Sequence, residues 1–142
     1  MFNGKVWKDG KLWLVEIPAL DVMTQGHSKK DALFMIKDAI EELVDEKSFH
    51  VKVVPAEKKS EFIIYANNVA PLVALMLKRQ RVKNGLSLAD MQERLHAKSR
   101  NTYAQYEQGR CAPTVQKLVE FLSAMGVMAL FMCAHGRSKS RG

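Results

Sequence analysis

The 142-residue sequence predicts an α+β fold laid out in two parts. Three observations carry that reading. Apolar residues alternate with a period of two in the second strand of a hairpin over residues 4–17, and "FHVKVV" and "EFIIYA" (61–66) read as further strands. Between them, residues 28–44 carry apolar side chains at helical spacing behind a serine. After "NNVAP" (67–71) no strand pattern appears until about 127, and short helical segments punctuated by Ser, Thr and Gly follow one another.

Residues 4–17 read as a hairpin. "KVW" and "LWLVEI" flank Asp9-Gly10, a pair suited to a type I′ turn. Trp13, Val15 and Ile17 face one way and Leu14 and Glu16 the other. Pro18 ends the pairing, and "VMTQG" (22–26) is a short third strand. Ser28 then caps a helix, with Asp31 three residues on completing a capping box. Leu33, Ile36, Ala39, Ile40, Leu43 and Val44 define its buried stripe, and Phe34 falls outside it among charged residues. "FHVKVV" and "EFIIYA" supply two more strands around the polar turn "PAEKKS". The first half is therefore β-β-β-α-β-β: a small sheet with one helix on a face.

Residues 1–66 form the first domain in this reading, 67–70 a linker and 71–126 an all-helical domain. Its first helix is "PLVALMLKRQRVKN", stopped by Gly85. Ser87 and Asp90 form a capping box on "LADMQERL", Ser99 caps the next helix and Gly109 closes it. Pro113-Thr114 opens "VQKLVEFLSAM", which Gly126 closes. The apolar run "VMALFMC" (127–133) is expected to be a dimerisation segment, because so many apolar side chains could hardly stay exposed on a monomer. The rest, to residue 142, is expected to be a basic, disordered tail.

Charge divides at the same place. Residues 1–67 hold 10 Lys/Arg against 11 Asp/Glu, whereas residues 68–142 hold 12 against 4. Basicity confined to one half points to a polyanion partner for that half. The two cysteines, Cys111 and Cys133, are too few for a disulfide framework and lack metal-type spacing, so a reduced compartment is expected. The N-terminus has no signal-peptide h-region, and the longest apolar run is too short to span a bilayer. A cytoplasmic protein without membrane contact is the expectation.

The segment "SRNTYAQYEQGR" (99–110) carries the most specific chemistry. With the helix phased from Ser99 at about 100° per residue, Tyr103 and Tyr106 point toward Met91 and Leu95 of the preceding helix. Asn101, Ala104, Gln105 and Gln108 point the other way. Asn and Gln amides each match the N6/N7 edge of adenine in a major groove, and Asn101 and Gln105 lie one turn apart. Arg100 can reach a guanine edge or a phosphate. Base reading is assigned to Arg100, Asn101 and Gln105; phosphate contacts to Ser87, Lys98, Ser99, Thr102, Gln108 and Arg110.

Residues 87–126 resemble a Cro/C1-type (XRE) helix-turn-helix, with "YEQGR" in the place of that family's W/Y-E-x-G-[KR]. The resemblance puts base reading at Arg100, Asn101 and Gln105. The chain departs from the pattern at Gln92, where a small residue is usual, and at His96, where the turn glycine is usual, and its turn "HAKS" is one residue longer. The first half resembles the N-terminal domain of HicB antitoxins in its W-x-V-E-x-P strand (Trp13 to Pro18), its "TQG" strand end and the capped helix that follows. That family often carries a helix-turn-helix behind a "PL" linker, as at Pro71-Leu72. The resemblance implies a partial ribonuclease-H-like fold that neutralises a small HicA-type mRNA endonuclease. It also implies repression of the shared operon, in the bacterial cytoplasm, by a homodimer or higher oligomer on an inverted-repeat operator. The toxin-facing surface is assigned to Phe34, Asp38, Glu41 and Asp45, an aromatic beside acids that suit a basic partner.

Catalysis is not expected, nor is a cofactor or metal. A two-metal nuclease needs carboxylates converging on paired ions, and Asp9, Glu16 and Asp21 do not cluster in the strand pattern. His27, His50, His96 and His135 form no nucleophile–base set, and the methionines are spread as core filler. The second functional reading is a stand-alone repressor whose first domain senses a ligand or only oligomerises.

Overall fold

The computed structural model describes residues 2–127, and among them are five strands and five α-helices. The order is β1 (Phe2–Asp9), β2 (Leu12–Ile17), a 3-10 turn (Pro18–Leu20), β3 (Val22–Gly26), α1 (Lys29–Val44), β4 (Val51–Pro55) and β5 (Glu61–Ala66). Four helices follow: α2 (Val69–Lys83), α3 (Leu88–Arg94), α4 (Asn101–Glu107) and α5 (Val115–Met125). The chain is thus α+β, an antiparallel five-stranded sheet followed by helices. The expected dimerisation segment and tail lie outside the described residues beyond Val127, which is itself buried.

The sheet runs β3-β2-β1-β5-β4, and every neighbouring pair is antiparallel. α1 covers one face, where Val6, Val15, Ile17, Phe62 and Ile64 meet Ala32, Ile36 and Ile40. Two glycines permit that approach. A Cβ at Gly26 would overlap the backbone of Ala32 at the start of α1, and one at Gly4 would occupy the Phe62 ring.

Three local expectations are corrected. In the first hairpin Asp9 pairs with Leu12, so the two-residue loop is Gly10-Lys11. Gly10 has φ +62° and Lys11 is not left-handed, the φ signs of a type II′ turn, which needs glycine at its first central position. At the start of α1, Ser28 Oγ accepts from Asp31 N–H at 3.0 Å, but the Asp31 carboxylate reaches one residue further back, to His27 N–H at 2.9 Å. The capping box is therefore not reciprocal. Leu43, expected in the buried stripe, is 45% exposed in the last turn of α1, and Ala32 belongs to the stripe instead.

The chain between β5 and α2 is only Asn67 and Asn68, because α2 begins inside the span expected as a linker. Asn67 donates to Ser48 O at 2.6 Å and accepts from His50 N–H at 2.9 Å, which ties the start of β4 to the end of β5. Asn68 caps α2 by accepting from Ala70 N–H. α2 is buried at every position from Ala70 to Leu77. A helix apolar all round must be packed all round, and α2 lies against the 3-10 turn and α1 on one side and against α4 and α5 on the other.

Candidate nucleic-acid interface

α3 and α4 are short helices whose ends are fixed by local chemistry. Ser87 Oγ accepts from Asp90 N–H at 3.0 Å while the Asp90 carboxylate accepts from Ser87 N–H at 2.8 Å, the expected reciprocal box. Those bonds to Ser87 hold the Asp90 carboxyl below its ordinary range. α3 stops where His96 N–H returns to Glu93 O and Ala97 N–H to Gln92 O, with His96 left-handed at φ 53°. This is a Schellman motif with histidine where glycine fits without strain.

α4 starts later than the sequence suggested. Arg100, not Ser99, occupies the cap position, in right-handed helical geometry and with no side-chain cap bond. Ser99 supplies only its carbonyl, to Thr102 N–H at 3.3 Å. The turn after His96 takes one more residue, so the serine falls outside the helix. The phase survives because the tyrosines set it. Tyr103 and Tyr106 are buried against Phe121 of α5, with ring centroids 5.0 and 5.4 Å away, the first of them edge-to-face.

The opposite side of α4 is open. Asn101, Thr102 and Gln108 are exposed and Gln105 is half-buried, its amide donating to Thr102 O at 3.4 Å. Lys98, Ser99, Arg100 and Arg110 are exposed too, and the three cations make no ion pair among the described residues. Ser87 is exposed; its oxygen already accepts from Asp90 N–H, which leaves the hydroxyl proton free for an anion.

Behind this face lies a feature the sequence reading missed. Arg81 of α2 and Glu107 of α4 form a bidentate pair, Nε to Oε2 at 2.7 Å and Nη2 to Oε1 at 3.0 Å, with side chains 12% and 9% exposed. The Glu107 bonds come first in holding the Arg81 guanidinium above its ordinary pKa. The Tyr103 hydroxyl is buried beside the pair without a direct hydrogen bond. Burial, then the Glu107 carboxylate, push its pKa far up, so it stays neutral. Lys117 was missed as well. Its Nζ donates to Tyr106 Oη at 2.9 Å and stands 5.3 Å from that ring's centroid, a cation fixed to the reading helix from α5.

The first half places its expected contact residues unequally. Phe34 is 61% exposed, at the rim of a groove of about 340 Å³ between α1 and the edge strand β4, lined by Leu33, Val51, Val53 and Pro55 together with Lys37 and Lys52. Asp38 is exposed, and Asp45 is exposed at the left-handed C-cap of α1. Glu41 is not a free acid. Its carboxylate accepts from Lys37 Nζ at 2.9 Å and from Val51 N–H at 2.8 Å. Partial burial opposes its ionisation, but the Val51 N–H, Lys37 and His50 outweigh that and lower its pKa. Its contribution to stability is present above the ordinary carboxylate range and lost as pH falls through the lowered value.

Asp9, Glu16 and Asp21 do not converge. Glu16 pairs in register with Lys5 and Met23 in the sheet, and Asp21 is left-handed with its carboxylate 3.8 Å from Lys83. Among the described residues no three His, Cys, Asp or Glu side chains gather in a metal-binding group. No described helix is long and apolar enough to cross a membrane.

The helix-turn-helix family HTH_3 matches residues 77–127, from the middle of α2 to the end of α5. No curated protein matches the chain. Residues 77–127 are thus a Cro/C1-type helix-turn-helix domain, a DNA-binding module, with α3 and α4 as its two central helices.

Proposed function

We propose that this protein is a transcriptional repressor that reads an operator through α4, with Arg100, Asn101 and Gln105 at base edges. Ser87, Lys98, Ser99, Thr102, Gln108 and Arg110 hold phosphates around it. The observation that carries this reading is the open face of α4. Uncharged amides sit there beside cations with no internal partner, over tyrosines packed on α5. Lys117, steadied by Tyr106, joins the phosphate set from α5. An inverted-repeat operator and a homodimer fit this arrangement, and the apolar run at 127–133 is the segment proposed to join the copies.

The test is fluorescence anisotropy of the full chain on duplex DNA from its own upstream region. Log K is expected to fall linearly with log[salt], by roughly 0.9 for each phosphate neutralised. Lys98→Ala is expected to weaken all sequences alike and to flatten the slope by about one contact. Affinity indifferent to salt would remove the electrostatic part of the reading.

The finer proposal is that the protein is an antitoxin and that its first half neutralises a small HicA-type toxin. Support comes from the HicB-like order of strand motif, "TQG" and capped helix, and from the β1–β2–β3 meander covered by α1, which suits the partial ribonuclease-H-like fold that resemblance implies. The α1 surface supports it too: Phe34 stands beside Asp38 and, further along, Glu42 and Asp45, all exposed. Phe34→Ala is expected to weaken growth rescue in co-expression with a toxin encoded beside this chain while lowering the melting temperature little. Full rescue by that variant takes Phe34 out of the interface.

A further inference from the structure

The structure assigns to Arg79 and Gln80 a role outside DNA contact. We propose that they form a latch that makes the sheet half and the helix-turn-helix half one cooperative unit, so that DNA held at α4 stabilises the sheet. Gln80 is a buried amide, 1% exposed. Its amide donates to Pro18 O at 3.2 Å and to Ala19 O at 2.9 Å. Its neighbour Arg79 donates from Nε to Leu20 O at 3.0 Å and from Nη2 to Asp21 O. Four consecutive carbonyls at the 3-10 turn thus end on two adjacent side chains of α2, and Leu20 is fully buried. Lys83, one helical turn on, stands 3.8 Å from the Asp21 carboxylate.

The next residue faces the other way. Successive helical side chains fan out by about 100°, so Arg81 leaves α2 toward Glu107 at the end of the reading helix. Three consecutive residues therefore hold the sheet half with two side chains and α4 with the third. α2 also contributes Leu72, Met76 and Leu77 to the buried core at less than 2% exposure each. While Arg79 and Gln80 hold the 3-10 turn to α2, opening either half exposes apolar faces of this one helix, so neither is expected to open alone.

Hydrogen exchange on the full chain tests this. In wild type the slowest amides of β2 and of α5 are expected to open with one free energy whose dependence on urea is the same. A random-sequence 30-base-pair duplex at low salt is expected to slow both sets by the same factor, about 100-fold with free duplex at about 100 Kd. In Gln80→Met with Arg79→Ala, which keeps the side-chain volume at 80 but removes all four donated bonds, the two sets are expected to separate. DNA should then protect α3–α5 alone. Arg79→Ala by itself, a milder change, is expected to fall between the two. Wild-type protein in which DNA protects only α3–α5, or in which β2 and α5 already open separately, overturns the latch. If the duplex protects nothing, the DNA-reading proposal fails, and the urea series still decides the latch.

Discussion

Glu107→Ala is expected to destabilise the folded chain by about 3–5 kcal/mol. The loss is far larger than a surface ion pair would give, because the Arg81 side chain is only 12% exposed and keeps its charge whatever happens to its partner. Removing the carboxylate takes away two short bonds and leaves a guanidinium held by one remaining acceptor, Leu86 O at 2.9 Å. A buried charge without its counter-ion is the expensive case; replacing both partners with apolar residues would cost much less. Against a typical total stability of about 5–15 kcal/mol, a loss of that size is a large fraction of the whole. Denaturant melts of Glu107→Ala and of the double variant Arg81→Met/Glu107→Leu check this. A single variant that loses under about 1 kcal/mol would mean that water reaches Arg81 and solvates it.

The same pair marks the boundary of what the sequence could reveal. "YEQGR" identifies the helix-turn-helix, but nothing in the string says which distant cation Glu107 meets. Its partner is 26 residues upstream in "KRQRVK", among four basic residues with equal claims. Gln80 is harder still. It reads as a surface residue in a polar run, and only the fold brings Pro18 and Ala19 to it from about 60 residues away. Local signals did better. Each of β1–β5 and α1–α5 has a counterpart among the segments read from the sequence, and the capping box at Ser87 forms as its spacing implies. Errors occurred where two local solutions compete within one residue, as at Asp9-Gly10 against Gly10-Lys11 and at Ser99 against Arg100. Strand order was not legible at all. β5 lies between β1 and β4, a long-range choice that alternation within a strand does not encode.

Specificity is expected to fall by about 1–3 kcal/mol for Asn101→Ala and again for Gln105→Ala, while non-specific binding stays nearly intact. Both side chains lie on the open face of α4, away from the Tyr103–Phe121 packing that holds the helix, so neither truncation disturbs its support. Their expected effects differ in kind. Asn101 opens the helix, is exposed and makes no side-chain hydrogen bond among the described residues, so its amide is free to meet an adenine edge with both groups. Gln105 is half-buried and rests its amide on Thr102 O at 3.4 Å, a long bond that it must give up to reach a base. The penalty for Gln105→Ala is therefore expected at the lower end of the range and that for Asn101→Ala at the upper. Anisotropy competition between the operator and random duplex, at one fixed salt concentration, separates the two terms. Variants that lose operator and random DNA equally would show that these amides seat the helix on the backbone and that sequence is read elsewhere, with Arg100 the next residue to replace.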